Sequence, residues 1–393
     1  MNQRAYRLDA IDMVRGLAIV VMALDHVRDY FMVAAAQDPL SDPNVPPVLF
    51  FTRWVTHFCA PVFVLLAGTS AGLMTARKSP RELGRFLLAR GLWLIVVEVV
   101  VISTAWTFAP GGIPELGGRI AVPMQVIWAI GASMVVLSAA QWLGRRVCLA
   151  IGFAIVLGHN LLDPVWPASG LFDEQWPLWV ALHAQMAKGA GPILFAFVYP
   201  VLTWIGVMLV GFGAASIFEH HPSRRVAALR GVGVACVASF VVLRAVQVYG
   251  DPNTWQRQSG MIATVIDFLN TTKYPPSLLF LLMTIGPAAL VCSMARHVPA
   301  MVRDVLVMFG RVPFAFYVAH LFLIHALSVL LGVVQGFAPG QMATLFFFYP
   351  QGYGISMAGV YVVWVLVVVL LYPLCRAVAA AKAERRDWWL SYV

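Results

Sequence analysis

AIDMVRGLAIVVMALDHVRDYF, residues 10–31, is an apolar run that carries Asp12, Arg15, Asp25, His26, Arg28 and Asp29. Its length matches the roughly 20 residues that cross a bilayer core as a helix. Its charges do not suit lipid, because ionisable groups inside a span are costly and normally face a bundle interior or an aqueous cavity. The stretch therefore reads either as the helix of an ordinary soluble protein or as the charged span of a polytopic one. Composition decides between them: 61% of the 393 residues are hydrophobic, only 11% are charged, and mean hydropathy is +0.81. Soluble domains carry charge on about a quarter of their residues, so a soluble fold is excluded. The fold class is all-α, a polytopic transmembrane helix bundle forming one domain over residues 1–393.

Working outward from that first run, ten apolar stretches reach helix-spanning length: 11–34, 50–76, 86–108, 123–143, 147–162, 191–218, 228–249, 274–295, 305–334 and 354–381. The opening MNQRAYRLDAIDMVRG leads directly into the first of them with no small-residue cleavage site, so that span is expected to remain as a helix. The formal charge of +9 would suit a nucleic-acid binder, but its distribution along the chain argues for topology. Numbered through the ten spans, one side holds eighteen basic residues, from Arg4 and Arg7 through RKSPRELGR (77–85) and HHPSRR (220–225) to Arg385 and Arg386. The other holds only Arg53, Arg119, Lys188, Arg257 and Lys273. By the positive-inside rule both termini are expected in the cytoplasm. The excess charge marks sidedness, and no nucleic-acid partner is expected.

Five cysteines stand singly at 59, 148, 236, 292 and 375. No CxxC pair or HExxH motif accompanies them, so neither a disulfide framework nor a metal site is expected. The longest outer loop, 163–190, contains DPVWP and DEQWPLW. Its proline and tryptophan content suits a segment lying at the membrane interface, where indole rings favour headgroup depth.

Helical spacing puts Asp12, Arg15, His26 and Asp29 on one face of the first span. Two polar clusters result, one at each end, and Arg15 and His26 are separated by a rise of about 16 Å. Other spans bring polar groups to the outer level: His57 in RWVTHFCAPVFVLLAGTSAG, Gln125 in PMQVIW, Lys273 in DFLNTTKYPPSLLF, and Tyr317 and His320 in the ninth span. His320 and His325, five residues apart, cannot both face one site on an ideal helix, whereas Tyr317 and His320 can. Histidines at a common depth suit proton transfer near neutral pH. Glu98, within VVEVVV, and Arg244 are candidates for an interior ion pair.

These residues also carry a resemblance. Arg15, ten intervening residues and His26 match the R-x10-H pattern of the acyltransferase-3 O-acyltransferases. RLDAIDMVRGL, ALDHVRDYF, APVFVLLAGTSAG, YPVLTWIGVMLVG, FLNTTKYPPSLLFLLMTIG and GRVPFAFYVAHLFLIH, taken in order from residue 7 to 325, resemble bacterial relatives of heparan-alpha-glucosaminide N-acetyltransferase. The resemblance implies acetyl-CoA or another acyl-CoA as cytoplasmic donor and an extracytoplasmic acceptor, a glycan or small molecule offering a sugar amine or hydroxyl. It also implies residence in the bacterial inner membrane among lipid and leaves room for a homodimer. Arg15 matches the family's arginine near the donor, and Asp12 and Arg311 are expected beside it. His26 matches the outer histidine. The chain departs from the pattern at THFCAP, where the lysosomal enzyme has an aspartate in place of His57. That enzyme's catalytic histidine lies in a lumenal stretch with no one-to-one partner here.

The reading is accordingly a transmembrane acyltransferase with His26 as general base, Asp29 and Asp25 as orienting acids and His57 as the second candidate base. Arg28, Gln125, Lys273, Tyr317 and His320 are expected at the acceptor. Lys273, Tyr317 or His57 would supply a donor to a tetrahedral oxyanion, a role worth about 3 kcal/mol. The competing readings are a proton-coupled small-molecule transporter that uses the first-span charges as a relay, and a scaffold subunit.

Overall fold

The protein is described by a computed structural model covering residues 9–33, 45–166, 171, 173–385 and 387. Arg4, Arg7 and Arg386, used above for sidedness, lie outside the described residues. Helix α1 runs Asp9–Phe31, with Asp9 and Asp12 in its first turn and Arg28 in its last, which complements the helix dipole. Helices α2 (Pro47–Thr56) and α3 (Cys59–Met74) form one broken rod. Helix α4 (Pro80–Val97) starts at a capping box in which Ser79 and Glu82 satisfy each other's backbone N–H, with Pro80 in the first turn. It continues through a π-helical turn, Glu98–Ile102, into α5 (Ser103–Thr107). Then follow α6 (Val126–Ala140), α7 (Arg145–Gly158), α8 (Val201–Ala214), α9 (Ser216–Glu219) and α10 (Pro222–Val246). The last third comprises α11 (Met261–Leu269), α12 (Leu278–Ser293), α13 (Ala300–Arg311), α14 (Pro313–Val334), α15 (Pro339–Met342) and α16 (Met357–Glu384).

Among the described residues, eight helical segments are long and apolar enough to cross a membrane. They overlap eight of the ten stretches read from hydropathy, although the 305–334 stretch is not one helix but the end of α13 and all of α14, broken at Val312. The other two stretches correspond to α1, which carries six charged residues, and α12, which has 16 residues. The chain is an all-α polytopic membrane bundle. Its hub is α1, which packs against α2, α3, α12, α13, α14 and α16, so its polar groups face protein. At the α1–α13 crossing the backbones nearly touch: a Cβ on Gly16 would lie 1.8 Å from the Leu306 carbonyl oxygen, and one on Gly310 would lie 1.8 Å from that of Asp12. Small residues permit such approach between membrane helices. Gly310→Val is expected to destabilise the protein by about 3 kcal/mol, read as a lowered Tm in detergent; an unchanged Tm would mean that the two backbones are not held at this distance.

Hydropathy does not reveal the small sheet. Strands β1 (Ile120–Met124), β2 (Met186–Ala190) and β3 (Ile193–Phe197) lie in the order β1-β3-β2, with β1 parallel and β2 antiparallel to β3. The 191–218 stretch is thus a strand followed by α8, not one helix, because a short apolar strand between prolines reads like helix in a hydropathy window. The 163–190 loop, read as an interfacial segment, carries a 3-10 turn at Leu178–Leu182 and then β2. Asp163 ties that loop to the end of α7 by accepting hydrogen bonds from Asn160 Nδ2 (2.8 Å) and His183 Nε2 (2.7 Å). Burial pushes the Asp163 carboxyl up, but those hydrogen bonds outweigh it and hold it below the usual carboxylate range.

The expected Glu98–Arg244 pair does not form. Glu98 Oε2 instead accepts from the backbone N–H of Trp128, 2.6 Å away, in the first turn of α6. A carboxylate at a helix N-terminus satisfies an orphan donor and the dipole together. Arg244 donates to four backbone carbonyls, those of Asn253, Asp267, Phe268 and Asn270, at 2.6–3.0 Å.

Candidate active site

The C-terminal third of α1, called outer here after the sidedness expected from the basic loops, opens on a cavity of about 580 Å³ that the sheet also lines. Asp25, His26, Arg28 and Asp29 line it from α1, Arg53 from α2, and Gln125 and Lys273 from the segments leading into α6 and α12. Ala121, Pro123, Leu194 and Ala196 of β1 and β3 close it from above. A second, mostly apolar cavity of about 240 Å³ lies towards the other end of α1, with Arg15 and Arg90 on its wall and Phe63, Ile127, Phe314 and Tyr317 among its apolar contacts. A pocket of about 30 Å³ lies between the two. It shares Met22, Phe63, Val126 and Tyr317 with the inner cavity, and Asp25, His26, Gln125, Tyr199 and Lys273 with the outer. The three spaces follow one another along α1, and His26 stands where the outer two meet.

His26 is oriented by another histidine. Its Nδ1 lies 2.7 Å from His320 Nε2, and the two rings stack with centroids 4.9 Å apart. His320 Nδ1 faces the carbonyl oxygens of Tyr317 (2.6 Å) and Phe316 (3.1 Å), so that nitrogen carries the proton. In a neutral His320, Nε2 is then an acceptor, and it takes the N–H of His26 Nδ1. The hydrogen-bond network thereby assigns the tautomer of His26 in which Nε2 has the lone pair. Trp106 packs edge-on against the ring at 5.0 Å and Tyr317 at 6.5 Å. His320 itself is fully buried and lines none of the three cavities, so it acts through His26.

Neither Asp25 nor Asp29 hydrogen-bonds His26, in contrast to the orienting role expected of them. Arg28 binds both carboxylates through Nη2, Asp29 at 2.6 Å and Asp25 at 3.1 Å, while Arg53 Nη1 takes the second oxygen of Asp25. Shared helical face is not enough, because a guanidinium one residue from Asp29 holds its carboxylate more strongly than a neutral imidazole does. The acids and arginines instead form a charged wall beside the histidine pair.

At the other end, Arg15 donates to Asp12 (3.0 Å), to Ser70 Oγ (3.0 Å) and to the Gly310 carbonyl (3.3 Å), and its side chain lines the inner cavity. Arg311 reaches Asp9 at 3.5 Å and Asp12 at 4.0 Å but lines none of the three cavities, and neither does Asp12. His57 is buried against Phe280, 5.4 Å between centroids; among the described residues neither of its nitrogens has a hydrogen-bond partner, and it lines none of the three cavities. His325, as its spacing required, points away from His320: its nitrogens face the carbonyls of Ala105 and Met342, both at 2.9 Å. Gln125, Lys273 and Tyr317 do join the site. Sequence reasoning missed Arg53, Trp106, Tyr199 and the sheet residues as wall components. Of these only Arg53, a cation beside an outer span end, carried a signal. Among the described residues no group of three His, Cys, Asp or Glu is placed to hold a metal ion.

A charged cavity and an apolar cavity, with a small pocket lined by a tautomer-fixed imidazole between them, suit proton transfer between groups that approach from the two sides. No curated protein matches the chain. The family model for the heparan-alpha-glucosaminide N-acetyltransferase catalytic domain matches residues 7–249, from α1 to just past α10. With well over half of its length covered, the chain belongs to the heparan-alpha-glucosaminide N-acetyltransferase catalytic family, a family of membrane acetyltransferases.

Proposed function

We propose that the protein transfers an acetyl group from acetyl-CoA on the cytoplasmic side to an amine or hydroxyl of an acceptor in the outer cavity, with His26 as general base. The observation that carries this reading is the His26–His320 pair at the junction of the cavities, which leaves His26 Nε2 as the proton-accepting nitrogen. Arg15 and Arg90 would hold a phosphate or the polar head of the donor, and the apolar walls between Arg15 and Tyr317 suit its pantetheine arm. His26 Nε2 takes the acceptor proton as the new bond to the acyl carbon forms, and returns it to the departing thiolate. Gln125, Lys273 and Tyr317, which line the connecting pocket, are the donors nearest to where an oxyanion would develop. With basic loops facing the cytoplasm, both termini lie there, and the whole chain acts as one domain in a bacterial cytoplasmic membrane. Family membership lends no support to the transporter alternative.

Purified protein incubated with labelled acetyl-CoA and an amino-sugar acceptor tests the reading. Label is expected in the acceptor, and acetyl-CoA is expected to raise the Tm; neither effect would sink it. Arg15→Ala is expected to raise KM for acetyl-CoA about tenfold with kcat held within about twofold, because a charged hydrogen bond to the donor contributes on that scale. An unaltered KM would remove Arg15 from the donor site.

A further inference from the structure

Helix α6 begins without a cap of its own. Gln125 occupies the N-cap position, but its side chain makes no capping hydrogen bond, where a Ser, Asp or Asn would bond the backbone N–H two or three residues on. Glu98 supplies that bond from another helix. Its Oε2 accepts at 2.6 Å from the N–H of Trp128, the third residue of α6, and the carboxylate is fully buried. Its Oε1 has no hydrogen-bond partner among the described residues, so the start of α6 is what compensates the burial of this group.

Two features bring Glu98 there. Helices α4 and α6 approach so closely that a Cβ on Gly91 would lie 2.7 Å from the Gly131 carbonyl oxygen, and one on Gly131 would lie 2.8 Å from that of Gly91. Glu98 then opens the π-helical turn Glu98–Ile102, and an additional residue in a turn rotates the face presented beyond it by about 100°. Glu98 thereby meets α6, while Trp106 further along the same rod meets His26. The consequence falls on Gln125. Strand β1 ends at Met124 and α6 starts at Val126, so the backbone of Gln125 is fixed from both sides. Its amide, spared the capping task, lines the outer cavity and the connecting pocket, as His26 does, and makes no side-chain hydrogen bond among the described residues.

Resting on the acetyltransferase reading, we propose that Glu98 is a positioning residue: by capping α6 in place of Gln125 it leaves the Gln125 amide to donate to the oxyanion that forms beside His26. Without the carboxylate the first turn of α6 frays, and Gln125 moves with it.

The test measures kcat and KM for transfer from labelled acetyl-CoA to an amino-sugar acceptor, together with Tm and, in the absence of acetyl-CoA, amide hydrogen exchange over residues 126–130. Gln125→Ala is expected to lower kcat about 100-fold and Glu98→Leu about 30-fold, each with KM for acetyl-CoA held within about twofold, as for the loss of an oxyanion donor. Glu98→Gln keeps an acceptor oxygen for the Trp128 N–H and is expected to recover at least about tenfold of the loss. The double variant Glu98→Leu/Gln125→Ala is expected to fall no more than about threefold below Gln125→Ala, because two residues that act through one donor are not additive. Glu98→Leu/Gln125→Ser is expected to regain the Tm lost in Glu98→Leu, since serine caps α6 by itself, but not kcat. Losses that multiply in the first double variant, or full kcat in Glu98→Leu, would overturn the proposal. So would recovery of kcat together with Tm in the serine variant, which would reduce Glu98 to a helix cap. If Glu98→Leu does not fold, Glu98→Asp, one methylene too short for the Trp128 N–H, decides by the same comparison with Gln125→Ala. If the unaltered protein acetylates no acceptor and acetyl-CoA gives no thermal protection, the acetyltransferase reading fails and the oxyanion role falls with it. Amide exchange still decides whether Glu98 caps α6: at least about tenfold faster exchange in Glu98→Asp than in Glu98→Gln supports the cap, and equal exchange rules it out.

Discussion

His26→Ala is expected to lower kcat for acetyl transfer by about 10³-fold, the scale of a lost general base, with KM for acetyl-CoA nearly constant. The split follows from the geometry. His26 lines the outer cavity and the connecting pocket but not the inner cavity, so its removal leaves the apolar walls and Arg15 in place. His320 separates a chemical role for His26 from a packing role. His320→Leu deletes the acceptor that holds the His26 Nδ1 proton, and a loss of at least about tenfold is expected, since an imidazole in the wrong tautomer presents N–H where the lone pair is needed. His320→Gln keeps an acceptor oxygen within reach of that proton and is expected to recover part of the loss. Full activity in His26→Ala would move the base elsewhere. Equal losses in the leucine and glutamine variants would reduce His320 to a space-filling residue.

Asp25→Ala is expected to destabilise the protein by about 3–5 kcal/mol, the usual consequence of breaking a buried ion pair by removing one member. Asp25 accepts from Arg28 with one oxygen and from Arg53 with the other, and all three residues are at most 9% exposed. Deleting it removes the one carboxylate that two guanidinium groups of different helices, α1 and α2, share. The measurement is thermal unfolding in detergent, with Asp29→Ala as reference. Asp29 has one arginine partner, and Arg28 would still retain Asp25, so the smaller loss belongs to Asp29. A larger effect for Asp29 would show that Arg28 alone, and not the bridge to Arg53, organises the wall.

Much of this was legible beforehand, and the reasons are local. Lipid demands long apolar runs, so eight spans could be read from hydropathy alone, and α1 could be singled out by charges that lipid would reject. Helical angles correctly separated His320 from His325 and joined Arg15 to Asp12. The same angles failed for Asp29, because face-sharing says nothing of which partner competes for a carboxylate. The Glu98–Arg244 pairing failed for a related reason: two buried opposite charges imply only that each needs a partner, and backbone N–H and carbonyl groups at a helix start and in a loop are partners without any sequence signature. The sheet was missed because five-residue apolar strands share the composition of the helices around them.

The matched family region ends at residue 249, before Lys273, Tyr317 and His320. By itself, the sequence determined the membrane bundle, the family and the special status of α1, because solvent preference and helical period act along the chain. Only the tertiary structure decided which nitrogen of His26 carries a proton, that Arg53 and Lys273 share its cavity, and that His57 does not. Those facts depend on contacts between residues 28 to 294 positions apart. Distances of that kind are set by packing across the bundle, with α1 and α13 brought into backbone contact at Gly16 and Gly310, and no local pattern encodes them.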